Sequence, residues 1–288
     1  MSMISVDRRT QQEILMGAAL GNVIALDHHI NQRTFDIETR DGVEEDGMTV
    51  AELLTDAFEH EAEMEPCPLG LTALHLGCFY GRPGVVRYLL EKAKTLGRNI
   101  VDSVDPLGRT PLVLMTLWKH AGHSECQDLL LAAGASILTH NINESFSNTL
   151  VRNCDTVAIK KMIAHAKLQD TPRVKPLFTE LNVRLLPPIC DIVIGYTGES
   201  LTYDFVNAPD KTEAATTPLA LAVLTSTTYP TNEYDEIVKL LLASKANPSE
   251  LMEDPVTNQL YPSIPAFAQD IRASEAILKL LSTREEEE

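Results

Sequence analysis

A short motif occurs three times in this chain, and it constrains the possible fold more than any other feature. The sequence GLTAL at 70–74 recurs as GRTPL at 108–112, 38 positions later, and a third copy reads TPLALA at 217–222. The first two copies continue through an apolar stretch, a glycine and a second apolar stretch that contains a leucine pair. Two short helices cannot bury their apolar faces alone, so units of this kind must stack on one another.

Weaker copies of the motif extend the pattern toward both ends of the chain. ILMGAALGNVIALDHHI at 14–30 contains the turn between two helices, and DTVAIKKMIAHA at 155–166 resembles a second helix alone. IPAFAQDIRASEAILKLL at 264–281 resembles a closing helix pair. We therefore expect about six or seven stacked units, with atypical units acting as caps at the ends.

The residues of the motif suit the ends and turns of such helices. Thr72 and Thr110 are of the residue type that caps a helix N-terminus, and Pro111 suits a first helical turn, where no amide donor is needed. Gly81 and Gly122 permit the tight turn between the two helices of a unit. The leucine pairs are expected to fill the core between units, at positions 89–90, 130–131 and 240–241.

With these residues the chain resembles the ankyrin-repeat family, whose unit is a turn and two antiparallel helices in about 33 residues with a T-P-L-H-x-A signature. The resemblance implies an all-α fold, an ankyrin-repeat solenoid of helix-turn-helix units joined by short β-turn or hairpin connections. It also implies a structural role for His75, which occupies the histidine position of the signature and would bond the backbone of a neighbouring turn.

Departures from the repeat pattern indicate how the chain is divided. Residues 91–105 carry about five extra positions relative to the family's unit, and 224–235 are expected to insert a loop between paired helices. The signature almost disappears in one long mid-chain segment. We expect a single ankyrin-repeat domain over 1–288, with an N-terminal cap and acidic segment (1–66), best-defined repeats (67–167), a degenerate or inserted segment (168–215), C-terminal repeats (216–284) and an acidic tail (285–288).

Composition excludes several classes of protein and narrows the expected partner. The formal net charge of −17 argues against nucleic-acid binding, and no apolar run is long enough for membrane insertion. Five cysteines without a CxxC pair are expected to be reduced thiols in the cytoplasm, or in a host cytosol if the chain is an exported effector. We expect a monomer, and the 12 acids between Asp36 and Glu65 favour a protein partner with a basic surface.

The family resemblance also implies where a partner binds. Ankyrin stacks hold other proteins on a concave face built from turns and first helices. Tryptophan, tyrosine and arginine are enriched among the residues that dominate binding energy at interfaces. We expect Tyr80, Arg109 and Trp118 to be exposed on that face, with Phe79 and Leu117 at the edge of the patch or in the core beneath it. The full set of candidate partner-binding residues is Leu71, Phe79, Tyr80, Arg109, Leu117 and Trp118.

Sites for catalysis or metal binding are weaker alternatives. His120, His123 and Cys126 have a spacing that could place three metal ligands along one helical edge, yet a turn between helices is expected within this spacing. His75 and Cys78 lie one helical turn apart, as a base and a nucleophile could, but no third orienting group is evident. We therefore expect no catalytic residue, no metal and no cofactor.

One stretch of the degenerate segment leaves two further functions open. LLPPICDIVIGYTG at 185–198 resembles the opening of an F-box, in which a Leu-Pro pair starts a helix. That resemblance implies a substrate-recruiting adaptor of a ubiquitin ligase, or a secreted effector of this kind. A disguised helix pair explains the same residues. An enzyme built on residues 168–215 is the remaining alternative to a protein-binding scaffold.

Overall fold

The structure, a computed structural model, describes residues 8–31, 70–117, 121–139, 145–180, 200–210, 216–254, 257 and 259–282. Within these ranges the fold is mostly helical, as the sequence predicts. The described helices are α1 (Arg8–Leu20), α2 (Val23–Asn31), α3 (Ala73–Phe79), α4 (Pro83–Thr95), α5 (Pro111–Leu114), α6 (His123–Ala132), α7 (Phe146–Arg152), α8 (Thr156–Glu180), α9 (Leu201–Asn207), α10 (Pro218–Thr228), α11 (Asn232–Ala243), α12 (Ile264–Asp270) and α13 (Glu275–Ser282). A 3₁₀ turn (Met115–Leu117) follows α5, and β1 (Met252–Glu253) pairs antiparallel with β2 (Leu260–Tyr261).

The helices of the described ranges follow one another as six successive pairs, within the expected number of units: α1–α2, α3–α4, α5–α6, α7–α8, α10–α11 and α12–α13. Helix α9 stands outside them. The two helices of a pair pack on each other except in α5–α6, where α5 packs on α3 and α6 packs on α4. The pairs belong to two compact units, Met1–Ser136 and Ile137–Glu288. In the first unit α3 packs between α1 and α5, and in the second α10 packs between α7 and α12. We expected a single domain over 1–288, and this expectation stays a prediction although the described contacts divide the chain into two units.

Hydroxyl side chains begin the first helix of several pairs. Thr72 Oγ1 accepts a hydrogen bond from the backbone N–H of His75, and Thr110 Oγ1 accepts one from Val113, both at 3.4 Å. Ser145 caps α7 in the same way: its Oγ accepts a hydrogen bond from the backbone N–H of Asn148 at 3.2 Å. Each such bond satisfies an amide that the helix itself leaves unpaired, which is worth about 1 kcal/mol. The predicted N-caps are confirmed.

The turns between paired helices depend on glycine for two reasons. Gly81 and Gly122 have φ angles of 61° and 92°, in the left-handed region that favours glycine. A Cβ on Gly81 would lie 2.4 Å from the carbonyl oxygen of Ala121, and a Cβ on Gly122 would lie 2.4 Å from that of Gly81. The two turns are therefore stacked in backbone contact, and a side chain on either glycine would push α3–α4 away from α5–α6.

The leucine pairs fill the core only in part. Leu89, Leu130, Leu131 and Leu241 are buried, and each stabilises the stack by about 1.5–3 kcal/mol through removal of apolar surface from water. The second leucine of the first pair and the first of the last pair are half-buried. Leu90 and Leu240 therefore lie at the edge of the core between helix pairs. Among the described residues, no helix is long and apolar enough to cross a membrane.

The described part of 168–215 is inserted between two neighbouring pairs. Helix α8 continues to Glu180, and the chain is next described at Ser200, where α9 begins. Helix α7 packs directly against α10, and α9 packs on α8. Asp170 fastens this insertion at its base, because its carboxylate accepts hydrogen bonds from the backbone N–H of Leu201 (2.6 Å) and the hydroxyl of Thr202 (2.6 Å).

The loop expected over 224–235 is wrong, because most of these residues are helical. Helix α10 runs to Thr228 and α11 begins at Asn232, so three residues connect them. Within this extension the hydroxyl groups have acceptors: Ser226 Oγ donates to the carbonyl of Val223 (2.6 Å), and the neighbouring threonines bond preceding carbonyls in the same manner. Threonine and serine tolerate a helix where their hydroxyls find such acceptors.

Candidate functional site

The loop before α5 is organised by a buried aspartate. Asp105 Oδ1 accepts hydrogen bonds from the backbone N–H groups of Leu107 (2.9 Å) and Arg109 (2.8 Å), and its Oδ2 accepts one from Arg109 Nε (2.7 Å). Arg109 Nη2 also lies 2.7 Å from Oδ2, out of line for a hydrogen bond. The backbone N–H of Asp105 donates to the carbonyl of Arg109 and closes the loop. Bonds of this kind to an ionised group are about twice as strong as neutral ones.

His75 joins this loop to the preceding helix pair. Its Nδ1 lies 2.8 Å from Thr72 Oγ1, and its Nε2 lies 3.2 Å from the carbonyl oxygen of Arg109. Because a carbonyl only accepts, Nε2 carries the proton and Nδ1 accepts from the threonine hydroxyl. The structural role predicted for His75 is confirmed, since the ring bonds the backbone of the neighbouring turn.

His123 makes the corresponding connection at the other end of the helices. Its Nε2 lies 2.8 Å from the carbonyl oxygen of Phe79, so the ring bridges α6 and the end of α3. The side chain of Cys126 is buried, which raises the pKa of its thiol to about 12. His120 lies outside the described residues. In the described part of the chain, no three histidine, cysteine or acidic side chains come together as metal ligands could.

Cys78 and His75 do not form a nucleophile and base. Cys78 is fully buried, and burial, followed by the neighbouring Cys126, raises the pKa of its thiol well above the usual value. A reactive cysteine needs a lowered pKa and solvent access, and Cys78 has neither. Both nitrogens of the His75 ring are already hydrogen-bonded, one to the Thr72 hydroxyl and the other to the carbonyl of Arg109.

Three of the candidate partner-binding residues lie in the core of the first unit. Leu71 and Phe79 are buried, and Tyr80 is only 7% exposed. The exposure expected for Tyr80 is therefore wrong. Helix α3 ends at Phe79, so Tyr80 is its C-cap residue and not part of its exposed surface. The Tyr80 ring packs edge-on against Phe79, with 5.0 Å between the ring centroids.

Arg109 is also more enclosed than expected. Its side chain is 11% exposed and is held by Asp105, so the exposure predicted for it is wrong, and its guanidinium orders the loop. Leu117 ends the 3₁₀ turn after α5, but its side chain lies outside the described residues, as does Trp118. The binding role of the six candidates stays a prediction.

In the second unit, different residues make the same kind of hydrogen-bonded connection between neighbouring helix pairs. Asn148 is completely buried, and its Nδ2 donates to the carbonyl of Thr216 at 2.7 Å, as His75 does to Arg109. Asp210 makes two hydrogen bonds with the backbone of Thr216: its N–H donates to the carbonyl, and its side-chain Oδ1 accepts from the N–H, both at 3.0 Å. The sequence signal was available: Ser145-x-x-Asn148 has the spacing of the threonine and histidine in the first unit.

Ion pairs and hydrogen bonds also connect the second helices of neighbouring pairs. The Tyr88 hydroxyl donates to Asp27 Oδ1 at 2.9 Å, which joins α4 to α2. On these exposed surfaces such contacts are worth about 0–1 kcal/mol each. Arg87–Glu125 joins α4 to α6 and Lys160–Glu236 joins α8 to α11. The stretch resembling an F-box, 185–198, lies outside the described residues.

Comparison with known proteins identifies the repeat. The family model for ankyrin repeats, in three copies, matches residues 43–141. No curated protein sequence matches the chain significantly. Among solved structures, an ankyrin repeat domain from Acinetobacter baumannii is similar over 94% of this chain and 96% of its own, with a TM-score of 0.56 and 18% identity. The ankyrin repeat protein EF0377 is similar over 94% of this chain and 97% of its own, with a TM-score of 0.52 and 14% identity.

The structural similarities at these identities concern the fold, and the family match concerns the first unit and the residues just beyond it. They agree with the stacked helix pairs, the hydroxyl caps and the histidine bond to the next turn. Residues 43–141 thus match the ankyrin-repeat family, and the fold of the chain is similar to that of solved ankyrin-repeat proteins.

Proposed function

We propose that this chain is a non-enzymatic scaffold that binds a protein partner through the face formed by its first helices and connecting loops, the concave face of ankyrin stacks. Ankyrin repeats are generally protein–protein interaction modules. The resemblance in fold does not by itself choose a function, so the residues of this chain must carry the argument.

The observation that carries this proposal is that the histidine and cysteine side chains, which could in principle serve catalysis, have structural roles. The His75 ring bonds the Thr72 hydroxyl through Nδ1 and the carbonyl of Arg109 through Nε2, and His123 bonds the carbonyl of Phe79. Cys78 is buried, and burial raises the pKa of its thiol. These groups hold the frame rigid. A rigid frame loses little conformational entropy when a partner binds, which favours recognition by its surface.

Within that face, Leu117 and Trp118 are the candidates that we retain for direct contact in the first unit. Arg109 and Tyr80 have structural roles in the same unit: the arginine orders the loop before α5, and the tyrosine packs at the end of α3. A net charge of −17 favours a partner with a basic surface, since opposite charges speed association at low salt.

Affinity capture with the full chain, followed by binding measurements with the purified partner, tests the proposal. Trp118→Ala should weaken binding about 30-fold, the effect of losing roughly 2 kcal/mol at a central aromatic contact, without lowering the melting temperature. Tyr229→Ala is the matched control, because Tyr229 is an exposed aromatic residue in the second unit. Equal affinities of all three proteins would contradict the assignment of Trp118, and failure to retain any protein partner would contradict the scaffold function.

A further inference from the structure

The hairpin of the second unit has one face firmly anchored. Met252 and Tyr261 are cross-strand partners, and both are buried. The Tyr261 ring packs edge-on against Phe267 of α12, with 5.2 Å between centroids, and its hydroxyl donates to Asp270 Oδ2 at 2.6 Å. Side chains of adjacent strand residues point to opposite faces. Fixing these two residues therefore also fixes the direction of their neighbours.

The opposite face of the hairpin presents apolar side chains to solvent. Leu260 is 69% exposed and stands across from Glu253, and Leu251, which precedes β1, is 75% exposed. Leu251 and Leu260 are separated by one diagonal step of the ladder, about 7–8 Å between their backbones in such pairs. Two leucines at this distance form a single apolar surface, which we call the hairpin patch (Leu251 and Leu260).

Hydrogen bonds within the loop hold this surface in shape before any partner arrives. The backbone N–H of Asp254 donates to the carbonyl of Gln259 at 2.9 Å, and the Thr257 hydroxyl donates to Asp254 Oδ2 at 2.6 Å. At its base, the backbone N–H of Ile264 donates to the carbonyl of Pro248 at 3.0 Å. Leu251 and Leu260 are exposed and have no role in the core, and apolar surface that is held in place before binding is typical of binding sites.

The first unit repeats the arrangement on its own connecting loop. Val104 and Leu107 are exposed on the loop before α5, and Asp105 between them is buried and closes the loop. The backbone N–H of Asp105 donates to the carbonyl of Arg109, as Asp254 does to its own loop. In both units a buried aspartate thus lies, in the sequence, between two exposed apolar residues.

Charge selects the partner of the hairpin patch. Two acids, Glu250 and Glu253, stand close to Leu251 in the sequence, and residues 246–271 contain no lysine or arginine. Glu253 stands directly across from Leu260. A partner that covers the leucines would place its own flanking residues beside these carboxylates, where lysine or arginine is favoured and a further acid is repelled. An anionic lipid surface would be repelled for the same reason.

We infer that the hairpin patch is a docking surface for a protein segment that carries an apolar side chain flanked by lysine or arginine. The inference rests on the proposed scaffold function in needing a protein partner, but it concerns a different surface from Leu117 and Trp118. It assigns recognition in the second unit to the loop between two helix pairs.

Selection from a phage-displayed library of random peptides on the full chain tests the inference. We expect the enriched peptides to combine an aliphatic or aromatic residue with neighbouring lysine or arginine. The affinity of a synthetic enriched peptide, measured by fluorescence anisotropy, should fall at least about tenfold in Leu251→Ser/Leu260→Ser. It should also fall in Glu253→Lys, and it should weaken with added salt.

The matched control is Val157→Ser/Leu168→Ser, since these two apolar residues of α8 are 68% and 71% exposed, as much as the leucines of the hairpin patch. It should change the affinity by less than about twofold. The four apolar residues replaced in these double variants are exposed, so the melting temperatures of both should equal that of the parent within about 2 °C.

Three outcomes would overturn the inference: no basic-apolar enrichment, equal affinity of the hairpin variant and the parent, or equal loss in the α8 control. Preferential binding of the parent to phosphatidylcholine vesicles, lost in Leu251→Ser/Leu260→Ser, would replace the protein partner by a membrane. Peptides that bind at full strength to the hairpin variant would leave the scaffold function standing and remove only the hairpin patch. Absence of any protein or peptide ligand would remove both.

Discussion

The side chain of Asn148 donates a 2.7 Å hydrogen bond to the backbone carbonyl of Thr216, 68 residues later, across the boundary between two stacked helix pairs. His75 makes the same connection to Arg109, 34 residues later, in the first unit. The shorter amide side chain of Asn148 thus makes the bond to the next turn that the imidazole of His75 makes in the first unit. The larger sequence separation reflects the insertion that lies between the two pairs of the second unit.

Asn148 leaves one polar atom without a partner, and a histidine should correct this. Its Oδ1 is buried with no hydrogen bond, which costs about 1–3 kcal/mol. In Asn148→His, Nε2 can donate to the carbonyl of Thr216, and Nδ1 can accept from the Ser145 hydroxyl once that hydroxyl turns away from the part-buried carbonyl of Ala208, to which it now donates. We expect the free energy of unfolding, measured by urea denaturation, to rise by about 1 kcal/mol.

Asn148→Ala provides the comparison for this change. It removes the bond to Thr216 and leaves a buried carbonyl unpaired, so it should lower the free energy of unfolding by about 1–3 kcal/mol. If the histidine variant is no more stable than the alanine variant, the parallel between Asn148 and His75 is wrong.

The two kinds of left-handed glycine in the first unit allow backbone strain to be separated from steric contact. Gly81 has φ 61° and would carry its Cβ into the carbonyl of Ala121 at 2.4 Å, whereas Gly97 has φ 65° and open space around it. Gly97→Ala should cost about 1–2 kcal/mol, because only the strain of a left-handed alanine applies. Gly81→Ala should cost at least about 3 kcal/mol, since the stacked turns must also separate.

Thermal and urea unfolding of the two alanine variants measure this difference. Equal destabilisation would mean that the turns of α3–α4 and α5–α6 are not held in backbone contact.

These cases show how far the sequence predicts the structure. Threonine caps and the turn at Gly81 follow from residue type and spacing, because their chemistry is local. The burial of Tyr80 and Arg109 did not follow, since it depends on the end of α3 and on an aspartate four residues before the arginine. The signal for Asp105 was its place in DPLGRT, immediately before the motif.

The insertion and the extension of α10 were predictable to different degrees. The loss of the repeat signature over 168–215 marked an interruption, but only tertiary contacts place α7 directly against α10. The threonine-rich sequence after Leu224 is typical of a loop by propensity. Its hydroxyls instead bond preceding helical carbonyls, and this overrides the propensity.

The ion pair of Asp105 and Arg109 should be a determinant of stability. The carboxylate side chain is fully buried and the guanidinium nearly so. Asp105→Asn leaves a buried cation without a counter-charge, which should lower the free energy of unfolding by about 3–5 kcal/mol. Arg109→Met in the same protein should recover part of this loss, because it removes the uncompensated charge.

A double-mutant cycle over Asp105→Asn and Arg109→Met, followed by urea denaturation, measures the coupling. Additive effects of the two changes would contradict the ion pair. Arg109→Ala should likewise lower the melting temperature, as expected of a residue that orders the loop, whereas a purely surface contact would leave it unchanged.

The thiol of Cys154 offers a prediction on pH dependence. Its pKa is raised by burial and then by Glu233, whose Oε2 accepts a hydrogen bond from the Sγ at 3.3 Å. Removing that negative charge in Glu233→Gln favours the thiolate, so the pKa falls and the reaction with iodoacetamide at about pH 8 should accelerate. The measurement is best made in Cys67→Ser/Cys190→Ser protein, because these two cysteines lie outside the described residues.

Two internal comparisons decide what the labelling rates mean. Glu236→Gln removes an acid of the same helix that pairs with Lys160, and it should leave the rate at Cys154 unchanged. Cys126 should remain unlabelled at the same pH, because burial raises its pKa to about 12. Folding raises that pKa above its unfolded value of 9.0, so the stability it contributes is complete below pH 9 and is lost as the pH rises toward 12. Slower labelling in Glu233→Gln would mean that Glu233 acts on Cys154 through access of the reagent and not through charge.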